Sequence, residues 1–265
     1  MDLTFHTLPN GIRLVHCQTA SEVAHCGVII NTGSRDELPE EHGMAHFIEH
    51  MLFKGTTRRR SYHILSRLED VGGELNAYTT KEETAIHASF LKEDYPRAVE
   101  LIADLLFFST FPAAEIEKEK EVVVEEINSY LDNPAEYIFD EFEELVFPQQ
   151  PIGRNILGKP ETIRSITGDD IRRFIRRNYA TGQMVFCSVG AISPRNLSSL
   201  FEKHFKHVEP VSGTSRARAE YLYNPIRTDR QMDTFQSHCI MGNIAYDLHD
   251  DKRMGLFILN NILGG

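Results

Sequence analysis

The stretch Gly43-Met44-Ala45-His46-Phe47-Ile48-Glu49-His50-Met51-Leu52-Phe53-Lys54-Gly55-Thr56 decides how the rest of the chain is read. Met44, Phe47, Ile48, Met51 and Leu52 recur at intervals of three and four, which predicts a helix over residues 42–53. Positions four apart lie on one helical face, with Cβ atoms about 5–6 Å apart. His46 and His50 can therefore bind one metal ion from the same side, and two imidazoles suit zinc. Glu49 borders that face, and a carboxylate there can take a proton from an attacking water. The order is H-x-x-E-H, the reverse of the commoner H-E-x-x-H. Alone, the pattern is also compatible with solvated helical His and Glu, since the chain has 12 histidines.

A catalytic zinc needs a third protein ligand and an open position. Downstream, Glu115-Ile116-Glu117-Lys118-Glu119-Lys120-Glu121-Val122-Val123-Val124-Glu125-Glu126-Ile127 reads as a helix rich in carboxylates. Most of these belong to a solvated face. Glu126 follows three valines expected to anchor the helix in a core, and Glu119 lies two turns before it on the same side. From spacing alone, either can ligate while the other supports it.

Strands are expected over residues 3–31, with Pro9-Asn10-Gly11 as a turn, and in a hairpin of residues 74–80 and 84–91. Ser61 is a plausible N-cap for a helix over 61–71. Further helices are expected over 93–108, 113–131, 135–146, 161–166, 169–178 and 194–205, with a strand at 184–189. Strands mixed with long helical runs give an α+β class. The domain reading is residues 1–210 as one unit carrying the metal residues and 211–230 as a linker. Residues 231–265 follow as the beginning of a second domain, with a strand-like run at 234–245 and a helix at 249–263.

The net charge of −11 argues against a nucleic-acid partner. No apolar run approaches the roughly 20 residues that span a bilayer. Met1-Asp2-Leu3-Thr4 has no secretory pattern, so a cytoplasmic location, in a bacterium, is expected, with mitochondrial or exported forms still open. The four cysteines form no Cys-x-x-Cys pair, and their spacing suggests neither a disulfide scaffold nor a cysteine zinc site.

The quoted stretch resembles the signature of the pitrilysin/insulinase family of zinc peptidases, the inverzincins, which include the mitochondrial processing peptidases. The resemblance extends to Gly73-Glu74-Leu75-Asn76-Ala77-Tyr78-Thr79 and to Pro151-Ile152-Gly153-Arg154-Asn155-Ile156-Leu157-Gly158. It implies a mixed, mostly antiparallel sheet packed on one side by helices, and the start of a second similar domain. It implies one Zn2+ held by His46, His50 and Glu126, with Glu49 as general base and Glu119 as a further active-site residue. Glu126 sits about 76 residues beyond His50, the family's spacing for its third ligand. Asn76 and Ala77 would contact the backbone of a peptide substrate added to an edge strand.

Family members pair two similar halves around a chamber. The chain is therefore expected to be an N-terminal fragment of a zinc endopeptidase, completed by its own C-terminal half, by a partner subunit, or in a homodimer. The alternative is a non-catalytic or partner-dependent subunit, against which the full set of metal residues counts. His42 would extend the row of His46 and His50, but it sits at the helix start and the family does not use it. The dipeptides His16-Cys17, His25-Cys26 and His238-Cys239 are read as buried cysteine with outward histidine.

Overall fold

A computed structural model describes residues 2–213, 224–232, 235–243, 245–246 and 249–264. Strands β1 (Leu3–Thr7) and β2 (Arg13–Gln18) form an antiparallel pair. Their turn uses Gly11 at φ 93°, and Asn10 donates its amide to the carbonyls of Phe205 (2.8 Å) and Val208 (3.0 Å). The remaining strands are β3 (Val23–Ile30), β4 (Glu74–Thr79), β5 (Thr84–Leu91) and β6 (Met184–Gly190). They make one mixed six-stranded sheet in the order β1-β2-β6-β3-β5-β4. Only β2 and β6 run parallel; β6 arrives from far along the chain and inserts between β2 and β3.

Alternation in β3 separates the two faces of the sheet. Ala24, Cys26, Val28 and Ile30 are buried, while Val23 and His25 on the other face are exposed. The buried face shares one core with residues of helices α1 (Met44–Leu52), α3 (Tyr95–Phe108) and α8 (Pro194–Phe205), among them Phe47, Met51, Leu101, Leu105 and Phe201. Phe186 on β6 meets Phe201 and Phe205 at ring distances of 5.5 Å, which clamps α8 against the sheet. The expected α+β sheet with helices on one side is therefore what forms.

The other helices are α2 (Ser61–Glu69), α4 (Ala113–Leu131), α5 (Pro134–Val146), α6 (Pro160–Ser165), α7 (Gly168–Asn178) and α9 (Arg253–Leu263). Ser61 is not an N-cap: Arg60 occupies that position, and Ser61 is already helical. The reason is the bridge that Arg60 makes with Gly55, which holds Arg60 extended and places the cap there. His42 does not extend α1 either, because Gly43 breaks the row with φ 94°. Residues 235–243 and 245, within the expected strand-like run, form no strand and are almost all exposed. A β-rich sequence needs a neighbouring ladder, and none of the described strands pairs with it. Residues 214–223 of the expected linker lie outside the described residues.

A buried ion network ties the segment after α1 to α3. Asp104, fully buried, accepts from Arg59 Nη1 (2.7 Å) and from the Thr56 hydroxyl (2.9 Å). Arg59 also forks onto Glu100 at 2.9 and 2.8 Å. Removing one member of a buried pair costs about 3–5 kcal/mol, because the other charge is left uncompensated. Asp104→Ala is expected near the lower end of that range, since Arg59 keeps Glu100. Urea denaturation measures it, and a loss below about 1 kcal/mol, the size of an exposed pair, would contradict the network's role.

Candidate metal centre

Helix α1 is set in place from its N-terminus. Glu37, buried in the preceding loop, accepts hydrogen bonds from the backbone N–H groups of Gly43 (3.0 Å) and Ala45 (2.9 Å). These are donors that a helix start leaves without partners inside the helix. Burial pushes the Glu37 carboxyl up to about 8, against the opposing pull of the two N–H bonds and of Arg154. Arg154 in turn donates to the Glu37 carbonyl at 2.6 Å. Gly43 lets the loop before α6 pass close by. A Cβ there would lie 2.7 Å from the Leu157 carbonyl and 2.9 Å from Gly158 Cα, besides adopting a left-handed backbone.

With Met44, Phe47, Ile48, Met51 and Leu52 committed to the core, His46, Glu49 and His50 are left on the side shared with α4 and β4. Helix α4 is anchored by Ile116, Val123, Val124 and Ile127. Val122, the first of the three valines, is exposed, so two of them do the anchoring. The register brings both carboxylates to the histidines. Glu126 Oε2 lies 3.4 Å from His50 Nε2, and Glu126 Oε1 lies 3.7 Å from His46 Nε2. The two Nε2 atoms are 3.2 Å apart. Glu119 is held elsewhere: its Oε1 accepts from His50 Nδ1 at 2.8 Å, and its Oε2 pairs with Lys54 Nζ at 2.6 Å.

This geometry separates two carboxylates that spacing alone left equivalent. Glu119 faces the outer nitrogen of His50, and Glu126 faces the inner nitrogens of both rings. The Nδ1–H bond to Glu119 leaves the His50 Nε2 lone pair pointing at His46 Nε2 and at a carboxylate oxygen. Such atoms are held together either by a proton, with His46 Nε2–H donating to His50 Nε2, or by a cation among them. Ligand atoms sharing a tetrahedral zinc at about 2.0–2.1 Å are themselves about 3.3 Å apart. Two of the separations, 3.2 and 3.4 Å, match that figure and the third, 3.7 Å, is somewhat longer; the donor set of two imidazoles and a carboxylate is one that zinc takes. Among the described residues, this is where three such side chains converge.

Burial lowers His46 to about 4, with the nearness of the His50 ring acting in the same direction, so the ring is neutral as metal binding requires. Burial also raises the Glu49 carboxyl; Thr79 and His50 oppose that shift and Glu126 adds to it. Thr79 ends β4, so Glu49 sits against the free edge of the sheet. Among the described residues, β4 is bonded only to β5, with Asn76 opposite His87 and Ala77 opposite Ile86. Asn76 is exposed and Ala77 half-buried, further along the same edge.

Other histidines lie apart from this cluster. His42 contacts the Asn155 carbonyl through Nε2 at 2.7 Å. His16 and Cys17 are both buried, with the His16 ring between the carbonyls of Ser188 (3.2 Å) and Ile192 (3.0 Å). His238 and Cys239 are both exposed, so buried cysteine with outward histidine holds only at His25-Cys26. Sequence reasoning missed Glu37 and Lys54. Glu37 lies too far before α1 for any local capping pattern, whereas Lys54 stood inside the quoted stretch.

The model of the insulinase family, Peptidase family M16, matches residues 14–160, and that of the Peptidase M16 inactive domain matches 165–265. The uncharacterized zinc protease YmxG of Bacillus subtilis is 35% identical over 262 residues, which are 98% of this chain and 63% of that protein. The mitochondrial-processing peptidase subunit beta of Lentinula edodes is 38% identical over 212 residues, 80% of this chain and 45% of that protein. A protease from Helicobacter pylori shares the fold with a TM-score of 0.77 at 23% identity, over 83% of this chain and 53% of that one. The periplasmic protease PqqL from Escherichia coli does so at 0.76, also at 23% identity, over 82% of this chain and 25% of that one. The chain spans 63% and 45% of the two curated relatives. With the family model covering more than half of its residues, the chain belongs to the insulinase family, Peptidase family M16.

Proposed function

We propose that this chain carries the metal-binding and proton-transfer residues of a zinc-dependent endopeptidase. The observation that carries the reading is the convergence of His46 Nε2, His50 Nε2 and the Glu126 carboxylate, with Glu49 beside them at the sheet edge. His46, His50 and Glu126 would hold one zinc ion, and Glu119 would orient the His50 ring. Zinc in such a site acts as a Lewis acid toward a carbonyl and makes water more acidic. Glu49 takes the proton of the attacking water and delivers it to the leaving amine nitrogen. The peptide lies extended along β4, its main chain bonded to the free edge at Asn76 and Ala77, a mode tolerant of sequence. Unfolded segments and short peptides fit this edge better than folded proteins.

The greater length of the relatives supports a working enzyme completed by further polypeptide, within the same chain, from a partner subunit or in a homodimer. The domain limits 1–210, 211–230 and 231–265 are proposed on the same footing. A bacterial, cytoplasmic setting is proposed, its bacterial part supported by the Bacillus and Streptomyces zinc protease relatives. No described helix is long and apolar enough to cross a membrane.

A quenched-peptide library incubated with the full-length protein tests the function. Cleavage should stop on dialysis against a zinc chelator and return with stoichiometric Zn2+. Undiminished cleavage by metal-free protein overturns the reading.

A further inference from the structure

We propose that Lys54 is a positioning residue of the metal site, acting on the His50 ring through Glu119. The proposal rests on the assignment of His46, His50 and Glu126 as ligands. Lys54 lies just past the end of α1, where its N–H still bonds the Met51 carbonyl at 3.2 Å. Its ammonium is 2.6 Å from Glu119 Oε2, while Glu119 Oε1 is 2.8 Å from His50 Nδ1. The two oxygens of one carboxylate are thus divided between a cation and a ring N–H.

The Glu119 side chain is only 6% exposed, so a charge on it needs a nearby partner. The lysines next to it on α4 are engaged elsewhere, Lys118 with Glu115 (2.8 Å) and Lys120 with Glu117 (2.7 Å). Among the described residues, Lys54 is the lysine or arginine within ion-pair distance of Glu119. It draws the carboxylate to the α1 end and fixes the position from which Glu119 accepts the Nδ1 proton. That bond turns the unprotonated Nε2 toward His46 and Glu126. Without the ammonium, the Glu119 carboxylate keeps only its bond from His50 Nδ1–H, and carboxylate and ring can turn together or the ring can exchange its proton between nitrogens.

Loss of a residue that orients a metal ligand typically weakens metal binding by about 10–100-fold. Lys54→Met keeps most of the aliphatic stem and removes the charge. It is expected to raise the Zn2+ dissociation constant about tenfold, measured by competition with a fluorescent chelator on the full-length protein. Lys54→Arg restores a cation and should recover most of the affinity. In the metal-free protein, 15N-correlated NMR of the His50 ring should show one Nδ1–H tautomer in the wild type and a mixture in Lys54→Met, a change that mere loss of packing would not produce.

Glu119→Gln is the reference. The double variant Glu119→Gln/Lys54→Met should bind zinc no more weakly than Glu119→Gln alone. Wild-type affinity in Lys54→Met overturns the proposal, as does full additivity in the double variant. Glu126→Gln separates the two failures: weakened zinc binding there with wild-type affinity in Lys54→Met sinks only the role of Lys54, whereas wild-type affinity in Glu126→Gln as well overturns the ligand assignment. Lys54→Gln provides the same comparison should Lys54→Met fail to fold.

Discussion

Glu49→Gln is expected to slow peptide cleavage by about 10²–10⁴-fold while the protein still binds one zinc ion. Gln matches Glu in shape, so α1 keeps its packing and His46 and His50 keep their positions. What disappears is the ability to accept a proton. Glu49 stands outside the convergent ligand set but next to it, with Thr79 of the edge strand on its other side. A peptide carbonyl presented along that edge would meet the Glu49 carboxylate and the metal ligands from one direction. The measurement is the steady-state cleavage rate of a quenched peptide beside zinc content. Cleavage at the wild-type rate would remove Glu49 from the chemistry. A variant without zinc would mean that Glu49 helps to hold the metal.

Glu126→Gln is expected to weaken zinc binding by more than the about 10–100-fold that follows loss of an orienting partner such as Glu119. The distinction comes from geometry. Glu126 faces the inner nitrogens of both rings, whereas Glu119 faces the outer nitrogen of one. The fold should tolerate the change, because the Glu126 side chain is 43% exposed and α4 is held by Ile116, Val123, Val124 and Ile127. Chelator competition gives the dissociation constants, and the thermal midpoint of the metal-free protein should stay close to that of the wild type. Equal losses from Glu119→Gln and Glu126→Gln would undo the assignment of separate roles.

The helix bearing His46, Glu49 and His50 was legible because its apolar positions repeat with helical period and its polar residues fall on the remaining side. The resemblance to the family added Glu126 as the expected third ligand. Spacing alone placed Glu119 and Glu126 on one face, since two turns separate them, and only the approach of α4 to α1 shows which nitrogen each one meets. Glu37 gave no sequence signal because its bonds to Gly43 and Ala45 span a loop and follow no capping pattern. Gly43 was visible, yet its left-handed backbone, which removes His42 from the row, depends on how closely Leu157 and Gly158 pack.

The strands were legible one by one from β-branched runs and turns. Their order was not, because residues 184–190 insert between β2 and β3 through pairings that no local pattern encodes. The same dependence on distant partners explains residues 235–243. Their composition suits a strand, but pairing decides whether one forms.

The most direct test of the central claim is an anomalous difference map, at the zinc edge, of crystals of the protein grown with Zn2+ and of its Glu126→Gln variant. One strong peak is expected in the wild type, bonded to His46 Nε2, His50 Nε2 and a Glu126 oxygen at about 2.0–2.2 Å, with Glu119 outside bonding distance. In the variant grown under the same limiting zinc, that peak should be much reduced. A peak bonded to Glu119 instead of Glu126, or no peak between the two histidines, would contradict it.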